Sequence, residues 1–512
     1  MTPTEASGDA PAAVAAAGSA EPVLQPSGYA ALPAGFYTAL APTPVAAPRL
    51  IKWNAGLAAE LGLGTAGLDE DSLAAIFSGN RVIAGTQPLA MAYAGHQFGQ
   101  FVPQLGDGRA ILLGEARDRA GGRRDVQLKG SGRTPYSRGG DGRAALGPVL
   151  REYLVSEAMQ ALGIATTRSL AAVATGESVF REGPKPGAIL TRVAASHVRV
   201  GTFQYFAARG EEAAVRRLAD YVIDRHYPAA RSAEVPALEL LRAVVGRQAS
   251  LVCAWMNVGF IHGVMNTDNM AVSGETIDFG PCAFMDTYDP ATVFSSIDHR
   301  GRYAYANQPA AAQWNLARFA ETLLPLLDPD AGRAIELATQ AVNDFARLFE
   351  EAWLAGMRRK LGLFTEEEGD RELIQSLLEV MQEQRADFTL TFRRLCDAAS
   401  QDDRKSAMGP RTLFADPAAY DAWEAQWQQR LGEEDLHPAA RAQAMRSCNP
   451  ARIPRNHRVE QAIRAAVDFD DLEPAITLLK AVSVPYAEDE SLAQFTLPAQ
   501  AAERVTQTFC GT

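Results

Sequence analysis

Two hydrophobic periods divide the chain. Between residues 110 and 194 apolar positions fall in short runs and alternations, and beyond residue 202 they recur every three or four positions. The first pattern predicts strands over 110–113, 124–129, 169–177 and 187–194. In 124–129 the alternation places Val126 and Leu128 on one face and Gln127 and Lys129 on the other. The second pattern predicts long helices over 211–227 and 237–260, a helical region over 312–400, and a basic segment at 449–467 that ends as a helix. Residues 50–80 read as two further helices, the second capped by Asp71 or Ser72. Residues 145–162 carry the clearest amphipathic stripe: Leu146, Leu150, Tyr153, Leu154, Ala158 and Leu162. The expected class is α+β, a strand-rich first part followed by a large helical part.

The segment 262–280, HGVMNTDNMAVSGETIDFG, concentrates the chemistry. Asp268 and Asn269 are adjacent, and Asp278 follows ten positions later in Asp-Phe-Gly. Val272 and Thr276-Ile277 are β-compatible and Ser273-Gly274 is a turn signal, so a short hairpin is expected between the two acids. Its ends would then converge, bringing two carboxylates and a carboxamide together as hard oxygen donors suited to Mg²⁺ or Mn²⁺ on phosphate. Protein kinases use an Asp/Asn loop followed by Asp-Phe-Gly in this order. Here the Asp and Asn are adjacent and no His-Arg-Asp precedes them.

Upstream, Gly106-Asp107-Gly108-Arg109 is a glycine turn feeding the first strand, and Lys129 ends the next. Glycines let backbone amides approach phosphate, and Arg109 and Lys129 add charge. The loop 130–143 holds five glycines and three arginines (Arg133, Arg138, Arg143), with no Walker A spacing. On the following helix either Glu152 or Glu157 is available to pair with Lys129, and periodicity does not choose between them. The segment 281–309 is irregular and reads as an activation segment.

Composition narrows the function. The 512 residues carry a net charge of −12, which argues against nucleic acid as the main partner. Five cysteines show no metal-ligand spacing and suit a reducing compartment; Cys510 stands third from the end, where a thiol is usually exposed. No apolar run reaches the length of a membrane span, and the N-terminus lacks the basic start and apolar core of a secretion signal. Residues 1–27, rich in Ala, Pro, Gly and Ser without Lys or Arg, read as a disordered tail. The Ala and Arg content points to a bacterial, cytoplasmic protein.

These motifs resemble one family. YAGHQFGQFVPQLGDGRAILLGE, QLKGSGRTPYSRGGDGRAAL, HGVMNTDNM with IDFGPCAFMD, DHRGRYAYANQP and NPARIPRNH are similar to the selenoprotein O (YdiU) family of kinase-like protein adenylyltransferases, over residues 90–460. The resemblance implies a two-lobed protein-kinase-like fold, with an N-terminal extension and lobe over 28–198 and a helical lobe and tail over 199–512. It implies transfer of AMP from ATP, bound in reversed orientation, to protein hydroxyls. It makes Asp268 the proton acceptor, Asn269 and Asp278 the metal ligands for Mg²⁺ or Mn²⁺, Lys129 the lysine on the distal phosphates and Glu152 its helix partner. Gly106, Gly108, Arg109, Asp141, Gly142, Arg192 and Arg199 become nucleotide contacts. Cys510 takes a redox position, with Cys282 the nearest thiol in the activation segment and Phe294 deeper in it. Transfer of UMP from UTP, ordinary phosphoryl transfer and a non-catalytic nucleotide-binding scaffold are the competing readings.

Overall fold

The computed structural model describes residues 22–400 and 409–509. Twelve strands appear among them: β1 (Tyr37–Ala39), β2 (Arg49–Trp53), β3 (Leu89–Met91), β4 (Gly95–Gln97), β5 (Gln100–Val102), β6 (Ala110–Arg117), β7 (Arg123–Lys129), β8 (Ala144–Ala145), β9 (Arg168–Phe180), β10 (Pro184–Ala194), β11 (Phe260–Ile261) and β12 (Ala283–Phe284). An antiparallel sheet runs β1-β3-β6-β7-β10-β9-β2, with β8 on β10. β4 pairs with β5 and β11 with β12 as separate two-stranded units.

The helices are α1 (Ala55–Glu60), α2 (Glu70–Phe77), α3 (Leu146–Ala161), α4 (Val200–Ala207), α5 (Glu212–His226), α6 (Pro236–Asn257), α7 (Gln308–Leu327), α8 (Ala331–Leu361), α9 (Asp370–Glu383), α10 (Phe388–Ala399), α11 (Pro417–Leu431), α12 (Pro438–Arg446), α13 (Asn456–Phe469) and α14 (Glu473–Val482). The protein is α+β, with its helical mass after residue 200. Among the described residues no helix is long and apolar enough to cross a membrane.

The alternation read in β7 holds. Val126 and Leu128 enter a core with Leu57, Phe77, Leu170 and Val173 on one side of the sheet, while Gln127 and Lys129 face the other side, toward the polar site. On that side α3 packs against Ala172, Ala188 and Leu190. α3 is covered in turn by α13 and α14: Leu154 and Ala158 meet Val459, Ala462 and Leu478. Arg151 pairs with Glu460 across this contact. The last helices therefore brace the helix that carries Glu152, although they lie some 300 residues downstream in the chain. Arg455, from the basic segment, is a buried staple and not a surface charge. It bonds Asp286 at 2.6 Å and Asp387 at 2.6 Å.

Three expectations change. Residues 49–53 form a strand, not the start of a helix, because their backbone completes the sheet edge beside β9 (Arg49↔Ala174 through Trp53↔Ala171). The cap of α2 is Asp69, whose carboxylate accepts from Ser72 N at 2.8 Å; Asp71 lies inside the first turn. Residues 1–21 of the expected tail lie outside the described residues. The chain is already packed before residue 27: Leu24 is buried and Gln25 exchanges backbone hydrogen bonds with Glu115.

Candidate active site

A cavity of about 900 Å³ opens between the sheet and the segment 264–281. Its lining includes Gly106, Gly108, Arg109, Lys129, Asp141, Gly142, Arg192, Arg199, Asp268, Asn269 and Asp278. The structure thus brings the residues singled out in the sequence to one cavity, apart from Glu152 directly behind it and Cys510, which lies outside the described residues.

The glycine turn is shaped by its neighbours. Gly106 has φ +83°, and a Cβ there would stand 2.4 Å from the Tyr136 ring; a Cβ at Gly108 would stand 2.8 Å from Tyr136 O. Tyr136, in the loop 130–143, is packed onto the turn and requires both glycines to be bare. Asp107, between them, is buried. Its carboxylate accepts from Met91 N at 3.0 Å and from Gln127 Nε2 at 3.1 Å. Burial pushes its carboxyl above the ordinary range, against the opposing pull of Arg199.

One carboxylate organises the cations. Asp278 accepts from Lys129 Nζ at 3.0 Å, Arg192 Nη1 at 2.5 Å and Arg199 Nη2 at 3.1 Å. Burial alone would raise the Asp278 carboxyl; Arg192, Lys129 and Arg199 outweigh it and hold the group well below the usual carboxylate range. Lys129 also pairs with Glu152 at 2.5 Å, and Arg192 reaches Glu152 at 3.3 Å and Gln127 Oε1 at 2.6 Å. Arg199 lies over the Tyr93 ring at 4.6 Å, with Asp107 at 3.6 Å. Three cations face three carboxylates, so the cluster is balanced without ligand. Asp278 itself has φ +63°, a left-handed backbone strained for a non-glycine residue. His262 donates from Nε2 to Ile277 O at 2.9 Å and helps to hold that conformation.

The two helix glutamates separate here. Glu157 is held by Arg168 (2.9 and 2.8 Å), Ser169 N and Asn54, and so fixes α3 to β9. Glu152, five residues earlier and so on another face of the helix, is the partner of Lys129. Replacing it should loosen Lys129 without removing any group that lines the cavity. Glu152→Gln is expected to lower turnover about 10–100-fold, by letting Lys129 leave its position. The check is turnover in the reaction that the family resemblance implies, beside the Kd for its nucleotide, measured on the folded variant.

The hairpin expected at 271–277 is a turn whose arms bond elsewhere. Gly274 N donates to Ala271 O at 3.1 Å, closing the turn. Ala271 bridges Arg199 and Thr276 bridges Thr166, while Val272 N donates to Val198 O. The arms are too short to satisfy each other, and the neighbouring backbone at 165–166 and 198–199 takes their hydrogen bonds. Asp268 and Asp278 still face the same cavity. Asp268 and Asn269 sit in a single 3₁₀ turn, Thr267–Asn269. Burial pushes the Asp268 carboxyl up to about 6, partly offset by a hydrogen bond from Gln97. Its Oδ1 is buried with no hydrogen-bond partner.

Of the three loop arginines, two are tied to backbone carbonyls, although one of them, Arg143, also lines the cavity. Arg133 donates to Gly139 O and Gly140 O, and Arg143 to Thr43 O and Pro44 O. Arg138 and Arg109 line the cavity and make no ion pair among the described residues. Asp141 is paired with Arg181 at 2.8 Å; Arg181 lies just past β9, and sequence reasoning had missed it. Gly142 has φ +69°, and a Cβ there would meet Gly132 O at 2.1 Å. Tyr93, Gln97 and Tyr136 were also missed as individual residues, and Asp107 was named only as part of the glycine turn, although two of the quoted motifs contain all four. Cys282 is buried in the core, and Thr508, near the described end of the chain, donates from Oγ1 to Pro281 O at 2.5 Å.

The family model described as protein adenylyltransferase SelO matches residues 25–483. The chain belongs to the SelO family of nucleotidyltransferases. It is 62% identical over 493 residues to the protein nucleotidyltransferase YdiU of Rhizobium rhizogenes, covering 96% of this chain and 98% of that one. The YdiU protein of Rhizobium meliloti is 62% identical over 484 residues, covering 94% and 98%. That of Rhodopseudomonas palustris is 61% identical over 484 residues, covering 94% and 98%. The match to the SelO family spans every residue that lines the cavity.

Proposed function

We propose that this SelO-family enzyme transfers AMP from ATP to Ser, Thr or Tyr hydroxyls of proteins and releases pyrophosphate, on a two-lobed kinase-like scaffold. The observation that carries this is the concentration of Lys129, Arg192 and Arg199 on one carboxylate beside a second, partly unpartnered carboxylate. Cleaving the α–β bond of ATP expels pyrophosphate, a densely charged leaving group. A site for that step needs several fixed cations, and here they are preorganised. Arg109 and Arg138 remain as further phosphate donors.

The residues also fit a divalent cation. Asn269 Nδ2 donates to Val264 O at 3.0 Å, which leaves its amide oxygen as the available donor. Asp278 supplies a carboxylate. Among the described residues no group of three or more His, Cys, Asp or Glu forms a metal cage, so phosphate oxygens would complete the shell, as Mg²⁺ and Mn²⁺ commonly require. Such an ion, when bound, would neutralise charge on the phosphates. The chain's own residues do the rest. Lys129, with Glu152 behind it, Arg192 and Arg199 hold the leaving pyrophosphate. Asp268 takes the proton of the acceptor hydroxyl as the new oxygen–phosphorus bond forms.

The test is intact-mass measurement of the purified chain after incubation with ATP and Mg²⁺ or Mn²⁺. A gain equal to AMP is expected, from self-modification. A gain equal to phosphate would establish phosphoryl transfer instead. A gain from UTP and none from ATP would establish uridylyl transfer. Bound ATP with no gain, alone or with cell extract, would leave a scaffold.

A further inference from the structure

The segment 94–102 has no part in the chemistry described so far, yet it grips the loop that carries Asp268 residue by residue. β4 and β5 pair Gly95↔Val102, His96↔Phe101 and Gln97↔Gln100 around a tip at Phe98 (φ +51°) and Gly99 (φ +86°). Two positive φ values are the geometry of a tight hairpin turn. For Phe98 that backbone is strained, and it persists where surrounding contacts over-determine it. Those contacts are visible. Phe98 N donates to Asn266 Oδ1 at 3.0 Å, and Tyr303 OH, from the activation segment, donates to the same oxygen at 2.9 Å. His96 N donates to Thr267 Oγ1 at 2.6 Å; that hydroxyl donates to Gln204 Oε1 at 2.6 Å, and Gln204 Nε2 returns to His96 Nδ1 at 2.8 Å. Gln97 Nε2 donates to Asp268 Oδ2 at 3.2 Å. Gly95 lies so close that a Cβ there would stand 2.6 Å from Asp268 Oδ1.

We propose that Gln97 is a positioning residue for nucleotidyl transfer: its amide occupies Oδ2 of Asp268 and so fixes the rotation of the carboxylate that takes the proton of the acceptor hydroxyl. This rests on the reading of Asp268 as the proton acceptor. An ionised carboxylate has two equivalent oxygens and can rotate about its Cβ–Cγ bond. A fixed neutral donor on one oxygen removes that freedom without neutralising the charge, as a lysine or arginine there would. The remaining oxygen is buried and unpartnered, a state that is costly unless a substrate group completes it. Gly95 packs against Oδ1 from the other side, so its bare backbone and the Gln97 amide together bracket the carboxylate.

The experiment compares Gln97→Ala, Gln97→Glu, Asp268→Asn and the double variant Gln97→Ala/Asp268→Asn. It follows self-modification by intact mass and pyrophosphate release, with ATP as the nucleotide. Gln97→Ala is expected to lower kcat about 10–100-fold with KM for ATP within about twofold, because the ATP-binding cations are untouched. Gln97→Glu keeps the shape and removes the donor, and is not expected to recover the rate. The double variant is expected to be no slower than Asp268→Asn alone, since Gln97 acts through that carboxylate. Full kcat in Gln97→Ala, recovery in Gln97→Glu, or a multiplied loss in the double variant would each overturn the positioning role while leaving Asp268 as proton acceptor. An active Asp268→Asn beside a slow Gln97→Ala would overturn both.

Discussion

Asp278→Ala is expected to reduce nucleotidyl transfer by at least about 10³-fold and to leave ATP binding in place. The loss follows from the chemistry assigned to Asp278 as a metal ligand, since removing a charge-stabilising element from a site of phosphate transfer commonly costs this much. The retained binding follows from the geometry. Lys129, Arg192 and Arg199 all lean on this one carboxylate. Without it, Glu152 and Asp107 are left to balance three cations, and the cavity becomes more attractive to a polyanion. The unliganded variant should therefore be the less stable protein, because breaking a buried ion cluster by removing one partner costs about 3–5 kcal/mol. ATP should restore much of that stability by mass action. The measurement is a thermal melt with and without ATP beside a turnover assay. An Asp278→Ala protein that keeps a tenth of its turnover would remove Asp278 from the metal role, and one that no longer binds ATP would show that the cations need this carboxylate to hold their places.

Asp268→Asn carries the second large effect. The amide is nearly isosteric, and its oxygen can still accept from Gln97, so the 3₁₀ turn has no reason to rearrange. It cannot take a proton. Turnover is expected to fall about 10²–10⁴-fold with little change in the Kd for ATP, the signature of a group that acts on the acceptor hydroxyl in the transition state. Kinetics of self-modification and titration with a non-hydrolysable ATP analogue would measure the two quantities separately. A comparable loss in both would place Asp268 on the nucleotide instead.

Local patterns already contained much of this site. The alternation of β7 assigned Lys129 and Gln127 to the polar face, and the structure has them there, one on Asp278 and Glu152, the other on Asp107 and Arg192. Adjacent Asp268-Asn269 and the following Asp278 are short-range signals, and all three line one cavity. Other features could not be read locally because their partners are remote. Residues 49–53 carry no strong strand pattern and become a strand because β9 offers an open edge. The hairpin at 271–277 looked self-sufficient, but its arms bond Thr166 and Val198, some 75 to 110 residues away. Arg133, Arg138 and Arg143 were equivalent as letters in a glycine loop, and only folding ties Arg133 and Arg143 to backbone carbonyls and leaves Arg138 untied at the cavity, which Arg143 also lines.

By itself the sequence determined the α+β class, the family, the identity of the charged groups and the face on which Lys129 lies, since these depend on side-chain type and on periods of two and 3.6 residues. Only the tertiary structure decided which groups oppose which. Periodicity left Glu152 and Glu157 open and the family resemblance named Glu152; the fold set that residue on Lys129 and Glu157 on Arg168. It gathered three cations on Asp278, and it placed Gln97 on Asp268 across 171 residues of chain. Coulomb interactions and hydrogen bonds act over a few ångströms of space, whatever the separation along the chain, so no local pattern can announce them.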